Sequence, residues 1–70
     1  MTMRFELLDM VRFRKSLDDH GIAEGTRGVV VEVHETPRLA YEVEVTNRDG
    51  RTVFLGAVDP EYLEVPTAEE

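Results

Sequence analysis

Seventy residues carry fifteen acidic and eight basic side chains, for a formal charge of −7, and include no cysteine. A chain of this length buries only about 60% of the surface its unfolded form exposes, so the expectation is one small domain with a modest core. Disulfides and thiolate metal centres are excluded, no apolar run approaches the roughly 20 residues of a bilayer helix, and the charge opposes nucleic-acid phosphate.

The acidic balance suits solubility or a basic partner. A cytoplasmic location is expected, with self-association left open.

From Met3 to Leu17 two periodicities compete. Met3, Leu7, Met10 or Val11, and Leu17 fit a helix, whereas Phe5, Leu7, Val11 and Phe13 fall on one alternating face that Asp9 interrupts. A helix here predicts an α+β protein. A strand from about Asp9 to Phe13 predicts an all-β module.

Ser16 to His20 is polar and reads as an excursion loop, with Leu17 and Ile22 turned inward to anchor it. Gly21, Gly25 and Gly28 punctuate the chain just before Val29-Val30-Val31-Glu32-Val33, its most strand-prone run. Glycine takes a positive φ without steric cost, and β-branched side chains suit a pleated surface, so a tight turn launches a central strand. Alternation then predicts Val29, Val31 and Val33 on the buried face and Val30, Glu32 and His34 outside.

Pro37 cannot donate to a ladder, so Glu35 to Leu39 is a hairpin loop. The next strand runs from Ala40 to Thr46, with Tyr41, Val43 and Val45 inward. Asn47-Arg48-Asp49-Gly50 is a tight turn, and Thr52 to Leu55 makes the following strand. Matching apolar faces pairs Val33, Val31 and Val29 with Tyr41, Val43 and Val45, and sets Glu32 opposite Glu42. On the next hairpin it pairs Val45 with Val53 and Val43 with Leu55, which requires a bulge near Gly50. Asp59-Pro60-Glu61-Tyr62 predicts a single helical turn with a capping aspartate, before a last short strand from Leu63 to Val65. The domain is expected over residues 1–65, with 66–70 as a frayed tail.

This order resembles that of a small five-stranded SH3-like barrel with a helical turn before the last strand. Leu8-Asp9-Met10-Val11, the run from Gly21 to Val33, Ala40 to Val45, Asp49-Gly50 and Leu63-Glu64-Val65 together resemble a bacterial family, domain of unknown function 4926. The resemblance implies an all-β fold and a strand at the N-terminus. It implies no enzyme activity, cofactor or catalytic residue. Members resemble small accessory proteins, some encoded beside toxins, which implies an antitoxin or immunity role.

The residues carry little chemistry. His20 and His34 lie on separate elements with no ligand spacing, and Asp18-Asp19 lacks a calcium loop's spacing and terminal glutamate. Ser16 has no interpretable base partner, and Gly25-Thr26-Arg27-Gly28 lacks the Lys-Ser/Thr ending of a phosphate loop. No catalytic, metal or cofactor site is expected.

The candidate partner-binding strip is Glu32, Glu42 and Glu44, with Val30 and Phe54 as apolar anchors; a plain solvated face compensated by Arg51 or Lys15 is the competing reading. The leading expectation is a non-enzymatic module that binds a basic protein, such as a toxin. A nucleic-acid or ribosome-associated module of the KOW type, using Arg12, Arg14 and Arg27, is one alternative. An accessory subunit capping a metabolic enzyme is another.

Overall fold

The N-terminal segment is a strand. β1 covers Met10–Phe13, and Val11 and Phe13 on its inner face have no exposed surface. Phe5 is buried as well, but Leu7 leaves the alternating face and is 59% exposed, because residues 6–9 form a tight turn. Asp9 N–H donates to the Glu6 carbonyl at 3.0 Å, and the Asp9 carboxylate accepts from Glu6 N–H at 2.8 Å. Leu8 sits at φ 71°, a left-handed conformation that a branched residue seldom adopts.

The computed structural model describes residues 4–66, so Met3 and nearly all of the expected frayed tail lie outside the described residues. The remaining strands are β2 (Arg27–His34), β3 (Ala40–Thr46), β4 (Thr52–Val58) and β5 (Leu63–Glu64). All neighbours are antiparallel, in the spatial order β4-β3-β2-β1-β5 of an SH3-like sheet. The sheet is not closed by hydrogen bonds between β4 and β5, yet it curls: the Phe13 ring of β1 meets Phe54 of β4 edge-on at 6.4 Å. The fold is all-β, as expected.

Most punctuation falls where the residues place it. Gly21 and Gly25 have φ of 69° and 93°, and the second turn is tied to β1 by Gly25 N–H donating to the Phe13 carbonyl at 2.7 Å. Leu17 bridges Ile22, which is buried, so both anchor the excursion loop. Asn47 closes its turn by accepting from the Asp49 and Arg51 amides through Oδ1, with Gly50 at φ 83°.

Gly28 plays a different part from the one its turn suggested. It lies buried inside β2, where an added Cβ would come within 2.7 Å of Val43 Cγ1 and 2.9 Å of the Glu44 carbonyl oxygen. It is a close-approach glycine between strands.

The register is half as expected. Val33 faces Tyr41 and Glu32 faces Glu42, but Val30, not Val31, faces Val43. A bulge between Val30 and Glu32 inserts one residue, so β2 changes faces along its length. Val30 is therefore fully buried in the core and not on the outer face. A second bulge lies between the Thr46–Thr52 and Val45–Phe54 pairs, past the turn instead of near Gly50. It sets Phe54, and not Val53, opposite Val45, and Gly56 opposite Val43.

Tyr41, Phe13, Val11, Val30 and Val43 make the fully buried centre. Each contributes on the order of 1.5–3 kcal/mol through burial. The Tyr41 hydroxyl accepts from Phe5 N–H at 3.0 Å while the two rings meet edge-on at 5.4 Å, so the buried phenol is satisfied. Pro60–Tyr62 forms one 3-10 turn before β5. Asp59 makes no capping bond there; its carboxylate accepts from Arg38 Nη2 instead.

Candidate functional site

The pairing of β2, β3 and β4 decides what the outer face presents. Glu32, Glu42 and Ala57 form one row across the sheet, and Met10, Val29, Glu44 and Leu55 form another. The three predicted acids thus share one face. Glu32 is exposed, while Glu42 and Glu44 are half-buried.

Their compensation comes from neighbours other than Arg51 or Lys15. His34 Nε2 lies 2.9 Å from Glu42 Oε1, and the Thr52 hydroxyl donates to Glu44 Oε2. Lys15 pairs with Glu61 at 2.9 Å and sits over the Tyr62 ring at 5.1 Å. That lysine holds the Glu61 carboxyl below its ordinary value of 4.5, through a hydrogen bond and direct charge attraction. Glu32, facing Glu42 directly, keeps a like-charge opposition that costs a few tenths of a kcal/mol up to about 1.

The apolar neighbours of these acids are not the ones the alternation predicts. Val30 is in the core, and Phe54 points to the inner face against Phe13 and the His20 ring, 5.2 Å away. Leu55, at 56% exposure, and Met10, at 51%, take their place, with Val29 between them. Met10, Val29 and Glu44 line a shallow hollow of about 340 Å³. A larger open groove of about 620 Å³ lies at the other end of the face, floored by Ala40 and Ala57 and walled by His34, Pro37 and Arg38. A sequence signal for Leu55 existed: three consecutive apolar residues, Val53-Phe54-Leu55, cannot all face inward on one strand.

The basic residues of the alternative reading do not form an open strip. Arg12 and Arg27 face each other across β1 and β2, and Arg12 Nη1 donates to Glu64 Oε2. Arg14 lies beyond β1 and is exposed, its backbone N–H donating to the Tyr62 carbonyl at 2.8 Å. Among the described residues no group of three or more His, Asp or Glu side chains could hold a metal, and no buried side-chain polar atom lacks a partner.

No curated protein and no solved structure matches the chain. A family model, domain of unknown function (DUF4926), matches residues 7–65, the stretch from the Leu7-Leu8 turn through β5. The chain belongs to that family.

Proposed function

We propose that this is a non-enzymatic protein-binding module whose outer sheet face receives a basic partner. The observation that carries the reading is the direct opposition of Glu32 and Glu42, beside Glu44 and an exposed Leu55. An arrangement that disfavours the free sheet is relieved when cationic side chains settle between the carboxylates, and the exposed leucine supplies apolar contact beside them. Neutralising a basic toxin encoded alongside is the specific form this role takes within the proposal.

Reversing charge at Glu42→Arg/Glu44→Arg and repeating affinity capture from the native cell tests the surface. Undiminished capture of the same partner removes this face as the site. Glu32→Arg separates binding from folding. Replacing a like-charge pair by an opposite one raises stability by a few tenths of a kcal/mol in denaturant titration, while partner affinity falls.

A further inference from the structure

The sheet ends at β4, and this edge has few of the features that normally discourage a further strand. It is seven residues long, Thr52–Val58, and contains no charged residue and no proline. Among the described residues, no backbone hydrogen bond of a turn, loop or cap reaches it from outside the sheet. The bulge at its beginning deflects only the first two residues, and Phe54 to Val58 continue in unbroken register with β3. Natural sheets usually blunt such an edge with lysine, proline or brevity.

The surroundings select the kind of strand. A strand laid antiparallel to Phe54–Val58 places alternate side chains on the outer face opposite Leu55 and Ala57. Beyond those two residues, one strand further in, stand Glu44 and Glu42, paired with Leu55 and Ala57 respectively. A lysine or arginine opposite Leu55 lays its aliphatic stem on that leucine and carries its charge toward Glu44; the next one crosses the small Ala57 toward Glu42. The intervening side chains of the added strand fall beside Phe54 and Gly56, where short apolar residues fit. A second copy of this chain suits the edge less well. It brings another −7 charge, and its own β4 offers no cation to the acids.

We infer that β4 is a docking edge for an extended segment of a partner protein, alternating basic and apolar residues, which adds to the sheet as a sixth strand. This rests on the basic-partner reading above and specifies how that partner attaches.

Three synthetic eight-residue peptides test it on the intact protein: (Lys-Val)4, the same sequence with alternate backbone nitrogens methylated, and (Glu-Val)4. Titration calorimetry gives affinity, and amide hydrogen exchange locates the contact. The expected result is saturable binding of (Lys-Val)4 with new protection confined to β4 amides. Methylation should weaken it about tenfold or more, because the lost bonds are those of the ladder. Leu55→Lys, an exposed change, should weaken it similarly. Equal binding of the methylated and plain peptides overturns strand addition while leaving a basic partner for the face. Equal binding of (Glu-Val)4 overturns the basic character shared with the proposed function, without touching the edge. Absence of saturation up to about 1 mM, or a dimer in sedimentation that excludes the peptide, overturns the inference outright.

Discussion

The two edges of this sheet are built in opposite ways. At one, β5 is two residues long, preceded by Pro60 and followed by Pro66. Its Glu64 is held by Arg12, its Leu63 is buried against Phe13, and the adjoining turn is latched by Lys15 to Glu61 and by Arg14 N–H to the Tyr62 carbonyl. At the other, β4 is seven residues long, uncharged, and exposes Leu55 and Val53. Both edges belong to one small core, so the contrast is not a matter of available material. Charge and proline, scarce on any short strand, are concentrated where pairing is to stop.

The largest effect should come from cutting the contact that curls the edges toward each other. Phe13→Ala removes a fully buried ring that pairs opposite Leu63 and meets Phe54 edge-on, and should cost about 3–5 kcal/mol in chemical denaturation. Comparable loss of order at β4 and β5 would show that one core supports both; loss at β5 alone would separate them.

Next is Gly28→Ala, where β2 closely approaches β3. Its Cβ meets the Glu44 carbonyl as well as Val43, and backbone cannot swing aside, so a loss of about 1–3 kcal/mol is expected. Smaller again is Glu64→Gln, which neutralises the carboxylate facing Arg12 at the guarded edge. The pair is partly exposed, so the change should be about 1 kcal/mol or less, disappearing in high salt.

The smallest effect sharpens the latch beside β5. Lys15→Met should move the Glu61 pKa upward toward its ordinary value in an NMR titration, with Arg14 and Arg38 still drawing it down. The lowered carboxyl contributes stability above 4.5 that is lost as pH falls through its folded-state value. The variant should therefore lose less stability over that acid range than the wild type.

The fold was legible wherever a residue type admits one conformation. Asn47 to Gly50, Gly21 and Gly25 announce their turns, and Pro37 and Pro60 mark the breaks between strands. The site was legible only in part, and the reason is local. Val29-Val30-Val31 and Val53-Phe54-Leu55 offer an apolar residue at either parity, so a bulge within them leaves the pattern unchanged. Alternation through these runs places Val30 and Phe54 on the outer face, whereas both face inward. The acids escaped the error because the Glu32–Glu42 and Val33–Tyr41 pairs lie beyond the first bulge, where the apolar matching had fixed the register independently.

Val31 acts on β2 as a single inserted letter acts on a reading frame. Upstream of it the strand is read with Val30 inside; downstream the same spacing puts Val33 inside and Glu32 outside. Remove that one residue and the bulge closes: Val30 still meets Val43, Glu32 still meets Glu42, and Val33 still meets Tyr41. Loss of Val31 is therefore absorbed by the sheet, and loss of a regularly paired residue is not. One codon lost at Val43, with the Glu42–Ala57 pair kept, would bring Glu44 into the buried place opposite Gly56 and carry the acidic face into the core.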